Sequence, residues 1–136
     1  MNLPCPITVC RAINDPAAQT CARCGVPLRP YAHLLAAAAS LFNQGLKAAR
    51  AGEYRLARDL FASVVYWCPM DMEARNALAA ACLSVRDFDA ATLHWKMILS
   101  RSPSDAMALA GLEALKTVPE SAYRSKRKRG KRPRPA

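Results

Sequence analysis

The segment 52–71, GEYRLARDLFASVVYWCPMD, is matched position by position by the later segment 86–105, RDFDAATLHWKMILSRSPSD. In both, a polar turn is followed by an aromatic residue, a small residue, a second large aromatic residue and finally a proline. The corresponding pairs are Tyr54 and Phe88, Ala57 and Ala91, Phe61 and Trp95, and Pro69 and Pro103. Proline disfavours helical backbone at the residue before it, so each segment predicts one helix that stops at its proline. A pattern that recurs at a fixed interval in this way indicates a repeat of helical hairpins.

On either side of these two segments, the same signals continue and predict an all-α fold of about five helices. Asp71, Asp87 and Asp105 stand where side chains cap helix N-termini. Apolar residues recur at helical spacing between the breaks. The expected helices are Tyr31–Ala51, Tyr54–Trp67, Met72–Val85, Phe88–Arg101 and Ala106–Lys116.

Residues 38–116 resemble the tetratricopeptide repeat (TPR) family. The matching residues are Leu41, Gly45, Ala57, Phe61 and Pro69 in the first unit, and Leu78, Ala79, Ala91, Trp95 and Pro103 in the second. Two features depart from the family: its first-helix tryptophan position holds Leu41 and Arg75, and only two full repeats are present where about three are usual. An alanine-rich bundle of another kind is the alternative.

The TPR resemblance implies hairpins stacked in tandem around a concave face suited to a partner peptide or helix. On the family's alignment, this partner-binding groove includes Phe42, Leu46, Ala49, Arg50, Glu73, Asn76, Ala80 and Leu83.

Four of the six cysteines precede Gly25, as the pairs Cys5-x4-Cys10 and Cys21-x2-Cys24. Two close pairs separated by a turn can place four sulfurs at the corners of a tetrahedron, with Zn²⁺–sulfur bonds of about 2.3 Å. We therefore expect these cysteines to bind Zn²⁺, and the metal to supply the folding energy of a short knuckle. The alternatives are four free or disulfide-paired cysteines, and a redox role for Cys21 and Cys24.

Residues 3–29 are also similar to the Ran-binding-protein type of zinc finger, through Cys5-x4-Cys10-x3-Asn14-x6-Cys21-x2-Cys24. The sequence around Cys21-x2-Cys24-Gly25 likewise resembles N-terminal zinc ribbons of bacterial proteins. Where ubiquitin-binding fingers carry a Thr-Phe pair, this chain has Arg11-Ala12, which disfavours ubiquitin binding. Residues 1–30 contain no aromatic residue that could stack on an RNA base.

Most of the formal net charge of +10 belongs to the C-terminal segment, since residues 118–136 hold eight basic residues against Glu120 and so contribute +7. A basic run without apolar periodicity predicts a disordered tail. Such a tail can bind nucleic acid or another polyanion, an anionic membrane or an acidic protein. The predicted polyanion-binding residues are Arg124, Lys126, Arg127, Lys128, Arg129, Lys131, Arg132 and Arg134.

Three parts are thus predicted: a zinc-ribbon-like knuckle over 1–30, a TPR-like domain over 31–117 and a basic tail over 118–136. No phosphate-binding loop or paired-carboxylate cleft is evident, so we expect no enzyme. The leading hypothesis is an adaptor that binds a protein partner, and the alternative is a nucleic-acid-associated factor tethered by tail and knuckle. A zinc-dependent redox or metal-sensing protein is a third. No secretion signal or transmembrane segment is evident, so the expected location is cytoplasmic, or nuclear in a eukaryote.

Overall fold

A computed structural model describes residues 2–123 of the chain. Within this range the fold is mostly helical, which confirms the predicted class. The strands are β1 (Leu3–Pro4) and β2 (Ile13–Asn14), and the helices are α1 (Arg29–Arg50), α2 (Tyr54–Trp67), α3 (Met72–Ser84), α4 (Phe88–Arg101) and α5 (Ala106–Lys116). A sixth helical segment covers residues 120–123. These residues lie in the segment predicted as a disordered tail, but Tyr123 packs against Phe88 of the helical core, with ring centroids 5.2 Å apart.

The helix boundaries follow the breaks in the sequence, with small differences at the ends of α1 and α3. Helices α2, α4 and α5 have the bounds that the sequence predicts. Helix α1 begins at Arg29, two residues earlier than expected, and includes Pro30 in its first turn. Proline is tolerated there because its missing N–H would have no partner within the helix anyway. The predicted last residues Ala51 and Val85 are C-cap residues of α1 and α3.

Three aspartates cap the N-termini of α3, α4 and α5, as the sequence predicts. The side chains of Asp71, Asp87 and Asp105 accept hydrogen bonds from the third backbone N–H of their helices, at 2.9, 3.4 and 2.8 Å. These bonds satisfy N–H groups that lack partners within the helix. The caps therefore fix where each helix begins.

The helical core forms because consecutive helices pack on one another, while α3 also contacts α5. Large apolar side chains fill the space between helices, and small residues allow them to enter. A Cβ atom at Gly45 would lie 2.6 Å from the Phe61 ring, and one at Gly111 would overlap the Trp95 ring. Only glycine permits such close approach of α1 to α2 and of α5 to α4.

Two polar side chains of α3 are buried in this otherwise apolar core. Arg75 is 6% exposed and donates hydrogen bonds to the Pro69 carbonyl at 2.9 Å and to His94 Nδ1 at 3.2 Å. Asn76 is 5% exposed and donates to the Asp105 carboxylate at 3.3 Å. Burial of Arg75 and of the Asn76 amino group is tolerable because both are hydrogen-bonded, and the bonds of Asn76 join α3 to the start of α5. The buried Oδ1 of Asn76 has no hydrogen-bond partner among the described residues.

A second, smaller cluster holds the N-terminal segment against α1. It consists of Leu3, Leu28 and the buried cysteines, and it packs against Tyr31, Ala32 and Leu35 of α1. The cysteine-rich segment is therefore positioned by the first two turns of that helix.

In the described part of the chain, none of the helices combines the length and apolar character that a bilayer crossing requires. The eight basic residues predicted to bind polyanions lie at 124–134, outside the described residues.

Candidate metal centre

The structure brings together the four cysteines that the sequence selects. Cys5 Sγ lies 3.6 Å from Cys24 Sγ, and Cys10 Sγ lies 3.8 Å from Cys21 Sγ. All four sulfurs lie within 4.8 Å of one another. A tetrahedral ion with metal–sulfur bonds of about 2.3 Å needs sulfurs separated by about 3.8 Å. The four thiols therefore have nearly the spacing of a tetrahedral metal site and could hold one ion.

Two short hairpins with the same register present these sulfurs. In the first, Pro4, one residue before Cys5, pairs with Ile13, three residues after Cys10. In the second, Thr20 before Cys21 pairs with Pro27, three residues after Cys24. The two hairpins differ in loop length, but each places its two cysteines at the same positions relative to its paired residues.

The backbone hydrogen bonds inside the two hairpins also lie at corresponding positions. The N–H of Cys5 donates to the Ala12 carbonyl at 2.8 Å, and that of Cys21 donates to the Val26 carbonyl at 2.9 Å. Each acceptor lies two residues after the second cysteine of its pair. The residues directly after those cysteines, Arg11 and Gly25, have φ of +50° and +75°. Each hairpin thus turns sharply just beyond its second sulfur.

Asn14 connects the two hairpins. Its side chain is 6% exposed and donates to the carbonyls of Leu3 and Ala12, at 3.4 and 3.3 Å. Its Oδ1 accepts from the N–H of Ala22 in the second hairpin, at 3.0 Å. A buried amide with donors and acceptor all engaged is a rigid link, so Asn14 fixes the position of one cysteine pair relative to the other.

The surroundings of the thiols differ in whether they favour the charged thiolate or the neutral thiol. Backbone N–H groups of Cys24 and Arg23, aided by the Asn14 amide, lower the pKa of Cys21 to about 6 despite its burial. Burial raises the pKa of Cys5 to about 12, even though the Ile7 backbone N–H favours the thiolate. Cys21 thus favours the thiolate form that binds metal, whereas the Cys5 thiol would release its proton to solvent when a bound cation stabilises the thiolate.

The chemistry of the centre follows from its four sulfur donors and their burial. Cys5, Cys10 and Cys21 are buried, and Cys24 is exposed at the surface. An ion held by all four would have a complete tetrahedral coordination sphere, without the open position that catalytic metal sites keep for water or substrate. The arrangement suits a structural role for the metal.

The residues predicted for the partner-binding groove have three kinds of environment. Phe42, Leu46, Ala49 and Leu83 pack partly buried against the helical core. Arg50, Glu73 and Ala80 are exposed, and Asn76 is buried. Asn76 is engaged with Asp105, so its amino group is occupied within the fold.

A second concave surface, which the sequence did not predict, lies between the cysteine hairpins and the helices. Pro6 of the first hairpin, Leu35 of α1 and Trp67 of α2 face the same groove. Trp67 is 56% exposed. One signal in the sequence could have indicated this surface, because Trp67 is a large aromatic residue directly before the break at Cys68-Pro69.

No model of a known protein family matches the chain, and neither does any curated protein or solved structure.

Proposed function

We propose that this protein is a non-catalytic adaptor, in which a zinc-stabilised cysteine knuckle is attached to TPR-type helical hairpins that bind a protein partner. The observation that carries this proposal is the seating of a closed four-thiol centre on the first turns of α1. A metal bound there would stabilise the start of α1 and would have no catalytic role.

The chemistry of the donors supports Zn²⁺ as the metal. Four sulfurs at tetrahedral spacing suit zinc or iron, and zinc is the usual ion of closed structural sites. Elemental analysis of the purified protein should give one zinc per chain, and an iron-loaded site would be recognised by its visible absorption. Cys21→Ser should abolish binding, whereas Cys82→Ser, a change in α3 outside the centre, should leave it intact.

Several contacts support the TPR-type arrangement. Phe61 and Trp95 occupy equivalent positions of the two matched segments, and each packs against a glycine on a neighbouring helix. The capping residues Asp71 and Asp105 are separated by the same number of residues as Phe61 and Trp95. Each accepts a hydrogen bond from the third backbone N–H of its helix. Contact between α3 and α5, the first helices of successive units in this scheme, fits tandem stacking. The corresponding helices of the two full units, α1 and α3, do not reach a contact of that extent, so the first unit is joined to the second through α2 and α3.

The experiment that tests the adaptor role compares the full chain, a chain ending at residue 123, which keeps the Tyr123 ring on the core, and the variant Ala80→Glu. Ala80 is exposed on the predicted concave face. Each tagged protein is expressed in its native host, and the captured proteins are identified after nuclease treatment. An adaptor retains its partner when the tail is removed and loses it in Ala80→Glu. Equal capture by all three chains would contradict the concave-face proposal.

The charge of residues 118–136 favours a second candidate, a nucleic-acid-associated factor. Each phosphate contact made by a basic side chain releases counterions, so the affinity of such a factor falls steeply with salt. This candidate predicts that the full chain binds duplex DNA or RNA at moderate salt and that the chain ending at residue 123, just before the basic run, does not. Binding that survives tail removal would assign the contact to the knuckle.

A further inference from the structure

Helix α1 is longer than its partner α2, and this difference creates a step in the surface. Only residues 51–53 connect the two helices, so they run antiparallel, with Gly45 opposite Phe61. Trp67, six residues after Phe61, then lies opposite Ala39, six residues before Gly45. Residues 29–38 of α1 extend about 15 Å beyond the end of α2, at about 1.5 Å per residue.

A groove of about 650 Å³ occupies this step. One wall is α1, with Tyr31 and Leu35 on its extension and Phe42 on the part that faces α2, and the opposite wall is the end of α2 and the connection to α3. Pro6 of the first cysteine hairpin lies at its edge. We call this surface the step groove.

The step groove exposes large apolar side chains. Trp67 is 56% exposed and Met70 is 60% exposed. The Tyr66 ring packs edge-on against Trp67 at 5.4 Å and is itself 78% exposed. Exposed aromatic residues beside a concave apolar surface are typical of protein interaction sites.

The charged side chains that line the step groove are both acidic. They are Asp71 and Glu73, in the connection before α3 and in its first turn. Asp71 uses one oxygen to cap α3, while Glu73 is exposed and makes no ion pair with any residue in 2–123. A partner that covers this groove must therefore bring positive charge to balance Glu73, or desolvate it at a cost.

From this geometry we infer that the step groove binds a peptide segment of a partner protein that combines large apolar side chains with Lys or Arg. The inference rests on the proposed adaptor function and assigns it a site and a partner chemistry. Apolar side chains would pack on Trp67 and Met70, while the basic residue would pair with Glu73. The site shares Phe42 and Glu73 with the predicted concave face. It differs from that face by including the knuckle edge and the end of α2, and by lacking Ala80.

The protein's own basic segment is the competing occupant. Residues 124–136 contain Arg, Lys, Ser, Gly, Pro and Ala only. They would satisfy the charge of Glu73 but offer no large apolar side chain to Trp67. The observations therefore favour a partner segment, and the test includes a peptide of residues 124–136.

The probe is a tryptophan-free library of short peptides displayed on phage and selected against the zinc-loaded full chain. Binding of synthesised hits is followed through protection of Trp67 from acrylamide quenching. The chain has two tryptophans, and Trp95 is only 4% exposed, so quenching reports almost entirely on Trp67. We expect enriched peptides to carry large apolar residues with Lys or Arg, and to reduce quenching.

Glu73→Lys should weaken these peptides by about tenfold or more, because attraction becomes repulsion. Asp89→Lys is the matched control, since Asp89 is the second residue of α4 as Glu73 is of α3. Both changes place a positive charge in a first helical turn at the same dipole cost. The control should leave affinity within about twofold, so any difference reports on the groove.

Three results would overturn the inference. One is enrichment of peptides without basic residues, or no enrichment at all. Another is equal affinity for the peptide of residues 124–136, which would make the protein's own segment the occupant. The third is binding that is lost in Ala80→Glu but not in Glu73→Lys, which would leave the adaptor role standing and move its site to the concave face.

Discussion

Gly111 is the single residue whose replacement by alanine we expect to be most informative about the core. A Cβ atom at this position would overlap the Trp95 ring, which is 4% exposed and therefore enclosed by its neighbours. Overpacking of this kind costs about 1–3 kcal/mol, enough to outweigh the gain in helix propensity of about 1 kcal/mol. Gly111→Ala should therefore lower the free energy of unfolding in a urea titration.

The control for Gly111→Ala is the double variant with Trp95→Phe. A smaller ring makes room for the methyl group, so the double variant should be more stable than the sum of the two single changes predicts. Strict additivity would show that the ring and the glycine are not in contact.

His94 is expected to make stability depend on pH. Burial and the neighbouring Arg75 lower its pKa below the usual value of 6.5, against a smaller opposing effect of Asp87. The unfolded chain then binds more protons than the folded one, so this contribution is complete above about pH 6.5 and is lost as pH falls toward the lower folded pKa.

The measurement is the unfolding free energy of the wild type and of His94→Gln between pH 7 and pH 5. Glutamine can still accept the hydrogen bond from Arg75 but does not titrate. Both proteins share the acid sensitivity of the cysteines, so the difference between their slopes isolates His94. A slope that is unchanged in the variant would refute the expectation.

Among the helices, α5 depends on its cap more than α3 does. Asp105 caps α5 and also accepts two hydrogen bonds from Asn76, at 3.3 and 3.4 Å, whereas Asp71 caps α3. Losing a cap costs about 1 kcal/mol, and stranding a buried amide adds about 1–3 kcal/mol. Asp105→Ala should thus destabilise the protein more than Asp71→Ala, the equivalent change in the preceding repeat unit. Equal losses in thermal unfolding would contradict this.

For the entire chain, metal removal should unfold one part and spare the other. The cysteine hairpins and the helices have separate apolar clusters, joined by the packing of Leu3 and Leu28 against the start of α1. Metal binding supplies most of the folding energy of so small a segment. A strong chelator should speed hydrogen exchange over residues 2–28 and the first turns of α1, with little change in α2–α5.

The same chelator should have no further effect on Cys21→Ser, which is the control for this experiment. A large loss of helical signal in far-ultraviolet circular dichroism would show instead that the helices depend on the metal.

The features that could be predicted from the sequence are those that are encoded locally. Prolines and capping aspartates indicated the bounds of α2, α4 and α5, and spacing alone selected the four cysteines. The burial of Arg75 was not predictable, because it depends on a carbonyl at Pro69 and on the imidazole of His94 from another helix. The unequal lengths of α1 and α2, which create the step groove, were predictable. The position of Pro6 and of the connection to α3 around that step was not, because it depends on how the hairpins and helices dock.

The order of the parts along the chain has a consequence for biosynthesis. Both cysteine hairpins precede every helix of the described range, so during translation they leave the ribosome before any helical pair can close. A nascent chain can therefore bind its metal ion before α2 has been synthesised. The metal-bound hairpins would then present Leu3 and Leu28 as a preformed apolar surface against which the first turns of α1 pack.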